Sequence, residues 1–152
     1  MTGGPQLTTP EGTRRPLQLL VVDDETQILE LLDLTLQMRG YAVSLAASGP
    51  QALEICRQRD IDVIVMDVLM APWDGFETVR RLQAQYQAHG GQPSRQMPPV
   101  VYLSGLNPPA ASSSRGGVVQ AYLVKPFRPA ELALTIERIW EEWHRTLKTD
   151  PT

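Results

Sequence analysis

Asp67 closes the run Ile61-Asp62-Val63-Ile64-Val65-Met66-Asp67, a carboxylate at the end of a short, nearly all-apolar stretch rich in β-branched residues. Asp23 and Asp24 close a second such run, Leu17-Gln18-Leu19-Leu20-Val21-Val22. A third, Val100-Val101-Tyr102-Leu103, ends at Ser104, and a fourth, Ala121-Tyr122-Leu123-Val124, ends at Lys125-Pro126. Three carboxylates gathered in one place repel one another, and each raises its neighbours' pKa unless a cation neutralises them. Mg2+ does so with one or two carboxylates, several waters and a phosphate oxygen. A carboxylate can also act as a nucleophile toward a phosphoryl group, forming an aspartyl phosphate. That transfer is mainly positioning and stabilisation of charge on the equatorial oxygens. The residues suit such chemistry, with Asp67 to attack, Asp23 and Asp24 to hold the metal, Ser104 to donate to one phosphoryl oxygen and Lys125 to pair with another. Each is weak alone, since an Asp-Asp pair after a strand is often a helix cap and a strand-end Ser often starts a turn. Their combination in this order is strong. The proline of Lys125-Pro126 permits a cis bond that would fix where the lysine points.

The elements that must position these groups follow from the same pattern. Each apolar run reads as a strand buried on both faces, and in open parallel α/β sheets the functional crevice lies outside the carboxyl ends of the strands. Asp24 or Thr26 can cap a helix in which Ile28, Leu31, Leu32, Leu36 and Arg39 recur at three- and four-residue steps and which Gly40 ends. Tyr41 to Ala46 makes another strand. Ser48 and Pro50 start a helix with Ala52, Leu53 and Cys56 on its apolar face. Asp74-Gly75 is a turn signal, and Phe76 to Ala88 is a helix with Val79, Leu82 and Tyr86 on one side. His89 to Pro98 is a polar connection. Pro129 suits the first turn of a final helix whose stripe is Leu132, Ile136, Ile139, Trp140, Trp143 and Leu147. Five βα units make a doubly wound parallel sheet with helices on both faces.

A chain of 152 residues with 42% hydrophobic and 20% charged content suits a single globular domain. Its net charge of −3 leaves no electrostatic footprint for nucleic acid or an anionic membrane. The single cysteine, Cys56, excludes an internal disulfide and suits a reducing compartment. On its helix it reads as a small core residue. No apolar stretch approaches the roughly 20 residues of a membrane span, and the N-terminus lacks a signal peptide's apolar core. A cytoplasmic protein is expected. Residues 1–16, rich in Gly, Pro and Thr, read as a flexible tail, 17–148 as the domain and 149–152 as a C-terminal tail, with no output domain. His89 and His144 have no second ligand at metal spacing and are assigned to the surface.

At these residues the chain resembles a known family. Val21-Val22-Asp23-Asp24-Glu25, Val65-Met66-Asp67-Val68-Leu69-Met70, Asp74-Gly75, Ser104-Gly105 and Tyr122-Leu123-Val124-Lys125-Pro126-Phe127 look like the CheY-like receiver domain of bacterial two-component response regulators. The resemblance implies the flavodoxin-like strand order 2-1-3-4-5. It implies that Asp67 accepts a phosphoryl group from a histidine kinase or histidine phosphotransfer protein. Asp24 and Asp67 would bind Mg2+ directly (Mn2+ could replace it), with the backbone carbonyl of Leu69, and Asp23 would act through water. Ser104 and Tyr122 match the pair that couples phosphorylation to a rearrangement, and the small Gly105 leaves room for the phosphoryl group. Such a protein is a switch in phosphorelay signal transduction. It is not an enzyme beyond its own phosphorylation and dephosphorylation, and it acts on a downstream protein by contact.

The sequence departs from the family in several places. Met70-Ala71-Pro72 stands where the family has Met followed at once by Pro, and Leu69 stands where many relatives carry a polar side chain. Between Leu106 and Gly117, Pro108-Pro109, Ser112-Ser113-Ser114 and Gly116-Gly117 oppose a helix. The fourth helix is therefore expected to be short or absent, and Val118-Val119 replaces the usual Gly-Ala pair. Its loss would uncover apolar surface beside an edge strand. A homodimer or client protein on the face of strands four and five and the final helix is then plausible. Two other readings compete: a binding module independent of phosphorylation, and a haloacid-dehalogenase-like phosphohydrolase. The second needs its nucleophile on strand one with another acid two residues on; two residues after Asp23 stands Glu25, but two after Asp67 stands Leu69.

Overall fold

The computed structural model describes residues 15–88, 96–105 and 118–149, with side chains as far as Thr146. Among these residues nine elements follow one another: β1 (Gln18–Val22), α1 (Thr26–Met38), β2 (Ala42–Ala46), α2 (Gly49–Gln58), β3 (Val63–Asp67), α3 (Gly75–Ala88), β4 (Val100–Ser104), β5 (Gln120–Val124) and α4 (Pro129–Thr149). The strands form one parallel sheet in the order β2-β1-β3-β4-β5. This is the flavodoxin-like topology. The expected short or absent helix between β4 and β5, the apolar surface and homodimer face that rest on it, the tail over 1–14 and the connection at His89 all fall outside the described residues.

Successive side chains of a strand point to opposite faces, so each apolar run supplies two cores. Leu20, Val22, Ile64, Met66, Val100 and Tyr102 meet Ala52 and Cys56 of α2 and Val79 and Leu82 of α3. On the other face Leu19, Val21, Val63, Val65, Val101 and Leu103 meet Leu29, Leu32 and Leu36 of α1 and Leu132, Ile136 and Ile139 of α4. Burial raises the Cys56 thiol to about 11, which keeps it a protonated core residue.

Local chemistry sets the helix ends. Ser48 Oγ accepts from the Gln51 N–H at 3.3 Å, with Pro50 beside it. Asp74 Oδ1 accepts from the Glu77 N–H at 2.8 Å, so Asp74 caps α3 where a turn was expected. Gly40 ends α1 with a φ of 95°, open to glycine and strained for other residues. Two expectations for α1 fail. Glu25 occupies its N-cap with no side-chain bond from Asp24 or Thr26; Asp24 stands instead in the acidic cluster described below. The buried face is Leu29, Leu32 and Leu36, with Ile28 at its margin. Leu31, about 200° around the helix from Leu29, is 53% exposed, and Arg39 is exposed too.

The first turn of α3 presses on β3. A Cβ at Gly75 would stand 2.4 Å from the backbone oxygen of Asp67 and 3.0 Å from the Cα of Val68. Backbone cannot yield as a side-chain tip can. Gly75→Ala is expected to destabilise the fold by about 1–3 kcal/mol, as overpacking does. The reading is a lower denaturant midpoint at unchanged m; an unchanged midpoint would show that α3 slides off β3 freely.

Candidate functional site

The parallel register delivers the polar groups to one edge. Val22 pairs with Met66, so Asp23 and Asp67 follow side by side at the ends of β1 and β3. Asp67 pairs with Leu103, Ser104 pairs with Val124, and the Lys125 N–H donates to the Ser104 carbonyl at 2.7 Å. Four neighbouring strands therefore end in Asp23, Asp67, Ser104 and Lys125. The Lys125–Pro126 peptide is cis, and so is Ala71–Pro72 in the β3–α3 loop.

Carboxylate oxygens of Asp23, Asp24 and Asp67 lie within 4.8 Å of one another. Asp23 and Asp67 are buried and Asp24 is exposed. Lys125 Nζ donates to Asp67 Oδ1 at 3.0 Å and stands 3.8 Å from Asp23 Oδ2. Burial raises the Asp23 carboxyl to about 6, helped by the charges of Asp67 and Glu25 and opposed by the Glu25 N–H and Lys125. Burial also raises Asp67, with Asp24 and Glu25 adding to it, while Lys125 pulls the other way. Burial opposes the charge on Lys125, but Asp67, Asp23 and Glu25 outweigh it and hold the ammonium above its usual range.

The donor set fits a hard divalent cation. Asp23 Oδ1 accepts from the Glu25 N–H at 2.9 Å, whereas the buried Asp23 Oδ2 has no hydrogen-bond partner among the described residues. An unsatisfied buried carboxylate oxygen is costly, and a cation with its bound waters would satisfy it.

Other predicted residues stand around this cluster. Leu69 is 69% exposed on the loop beyond Asp67. Ser104 is half-buried and Gly105 exposed, with nothing within 4 Å of where its Cβ would be. Among the described residues, crowding gives no reason for a glycine there. Tyr122 lies inside β5 and packs toward the α2–α3 face instead of reaching the sheet edge. Two contributors are not apparent from the sequence pattern. Glu25 supplies both an N–H and a charge, and its place directly after Asp23-Asp24 is the available signal. Gly75 abuts the Asp67 carbonyl, which a turn signal does not reveal.

The model of the response regulator receiver domain matches residues 19–137. The chain belongs to the response regulator receiver domain family. Response regulator GtcR of Aneurinibacillus migulanus is 32% identical over 120 residues, covering 78% of this chain and 46% of that protein. The chain thus spans about half the length of the curated relatives first matched. The chemotaxis protein CheY4 of Vibrio cholerae superposes with a TM-score of 0.69 at 32% identity, covering 82% of this chain and 98% of that one. The response regulator TrrA of Thermotoga maritima, solved in complex with Mg2+ and BeF, gives 0.65 at 25% identity, covering 81% and 98%. This receiver domain is accordingly a component of two-component signalling.

Three carboxylates gathered at one edge carry an electrostatic cost. Asp23 holds its proton to higher pH folded than unfolded. Its ionisation therefore removes stability progressively as pH rises from about 4, the unfolded value, through about 6. In metal-free protein at neutral pH, Asp23→Asn is expected to raise the thermal midpoint by a few degrees, with the gain shrinking in acid. A midpoint equal to or below the parent's at neutral pH would overturn this.

Proposed function

We propose that this receiver domain is a phosphorylation-activated switch, with Asp67 as phosphoacceptor. The carboxylate attacks the phosphorus of a phosphohistidine on a kinase or phosphotransfer protein. A P–O bond forms, the P–N bond breaks, and its electron pair leaves with the imidazole. The observation carrying this reading is the Lys125 ammonium 3.0 Å from Asp67 Oδ1 within a cluster of three carboxylates. Lys125 then pairs with a phosphoryl oxygen, Ser104 donates to another, and the open space at Gly105 admits the group. Asp24, Asp67 and the Leu69 carbonyl would hold Mg2+, with Asp23 acting through water. Bound there, Mg2+ supplies charge stabilisation on the phosphoryl oxygens. The complex of TrrA with Mg2+ and BeF supports that assignment.

Ser104 and Tyr122 pass the change to a downstream protein, and the domain works by contact. No helix among the described residues is long and apolar enough to cross a membrane. A cytoplasmic location belongs to the same proposal.

Incubation with Mg2+ and acetyl phosphate is expected to add the mass of one phosphoryl group, read on the intact protein and absent from Asp67→Asn. A folded parent that gains nothing would remove Asp67 from the role. A second expectation concerns lifetime. Leu69, exposed and apolar two residues beyond the acceptor, offers no hydrogen bond to orient an attacking water. Self-dephosphorylation is therefore slow, and Leu69→Asn is expected to shorten the phosphoryl half-life on the order of tenfold. A parent half-life of seconds, or no change in Leu69→Asn, would contradict it.

A further inference from the structure

Three aromatic rings meet behind the acidic cluster. Tyr102 and Tyr122 are register partners on β4 and β5. Their rings stack at 5.1 Å between centroids and 24° between planes. Phe76, in the first turn of α3, places its ring 4.8 Å from Tyr102 and 6.3 Å from Tyr122. Tyr102 is buried, and Phe76 closes the group from the solvent side at 37% exposure. Neither residue belongs to the carboxylate–lysine cluster.

The base of this group is fixed to the acceptor strand. Gly75 donates its N–H to the Val68 carbonyl at 2.8 Å, and its Cα lies so close to the Asp67 carbonyl that a methyl group would not fit. Phe76 is the next residue. A displacement of the Asp67–Val68 backbone therefore moves the start of α3, and with it a ring in contact with Tyr102 and Tyr122. The opposite end is looser: β5 is an edge strand whose residues are at best half-buried. The stacking partners contribute to the orientation of the Tyr122 ring, because packed groups hold discrete arrangements and aromatic pairs prefer definite geometries.

We infer that Phe76 and Tyr102 are positioning residues that hold the Tyr122 ring and make its orientation follow the backbone of the phosphoacceptor. The inference rests on the proposed reading in which Asp67 is modified and Tyr122 responds. Neither residue touches the transferred group. Their contribution is to the response and leaves acceptance of the phosphoryl group unchanged.

The test labels the intact chain with 3-fluorotyrosine and follows the 19F signal of Tyr122, assigned by its loss in Tyr122→Phe. Spectra are taken before and after treatment with Mg2+ and acetyl phosphate, with intact mass measured on each sample. In the parent the Tyr122 signal is expected to move on phosphorylation. Phe76→Ala and Tyr102→Leu should gain the same mass, yet show at most half that displacement. The balance of Tyr122 conformers should shift by roughly two- to tenfold, the range that one aromatic contact supports. Tyr102→Phe keeps the ring and should restore the parent displacement. A purely structural role would lower thermal midpoints and leave the displacement intact. Phe76→Leu takes the place of Phe76→Ala should the latter fail to fold. Mass gain with full displacement in both truncated variants, or mass gain in the parent without movement of Tyr122, overturns this inference alone. No mass gain in the folded parent overturns the acceptor reading beneath it.

Discussion

The contact between Lys125 and Asp67 permits everything else at the sheet edge. Two unit charges about 4 Å apart interact by about 4 kcal/mol at an effective dielectric near 20. Three carboxylates within 4.8 Å of one another would oppose the fold that assembles them. The Lys125 ammonium, 3.0 Å from one and 3.8 Å from a second, offsets part of that repulsion. It does not offset all of it. Burial first, and the neighbouring negative charges after it, still raise the carboxyl groups of Asp23 and Asp67. The buried Asp23 Oδ2, without a hydrogen-bond partner among the described residues, is where a further positive charge would be best placed.

Topology makes this gathering unavoidable. In the order β2-β1-β3-β4-β5 the chain turns one way after β1 and the other way after β2. The ends of β1 and β3 consequently lie side by side at the switch point, where no connection covers them. Asp23 and Asp67 occupy those two ends. Successive neighbours to one side then contribute Ser104 and Lys125, whose backbones are joined by a hydrogen bond of 2.7 Å. Residues separated by more than a hundred positions thus share one crevice because each stands at the end of its strand's apolar run.

Much of this is legible in the amino-acid sequence, for a physical reason. Strands buried on both faces are nearly uniform apolar runs, so their ends stand out, and the first polar residue at each end is the one presented to the crevice. Asp23, Asp67, Ser104 and Lys125 are visible in that way, as is the helix start at Ser48-Gly49-Pro50. Amphipathic helices are harder where apolar residues exceed the buried face. In α1, Leu29, Leu31, Leu32, Leu34 and Leu36 satisfy more than one helical phase, and only the sheet decides that Leu31 and Leu34 face outward. Asp74 is ambiguous because an Asp-Gly pair serves both as a turn and as a cap beside a close backbone approach. The aromatic contacts of Phe76 with Tyr102 and Tyr122 join three elements distant in sequence, and no local spacing encodes them.

Burial also decides which parts of the domain can answer a change of charge at Asp67. Every residue of β3 is buried, and the strand is clamped between β1 and β4 with α3 against its last peptide. A residue so held moves only together with what is packed against it. β4 is buried except at Ser104, whereas β5 is at best half-buried and, among the described residues, pairs on one side only. Lys125, at 30% side-chain exposure, extends from that looser strand. Any redistribution of charge at Asp67 thus meets a well-packed centre and a less buried edge, joined by the β4–β5 ladder, by the contacts of Lys125 with Asp67 and Asp23, and by the stack of Tyr102 on Tyr122. Packing is thinner on the β5 side, where Tyr122 lies.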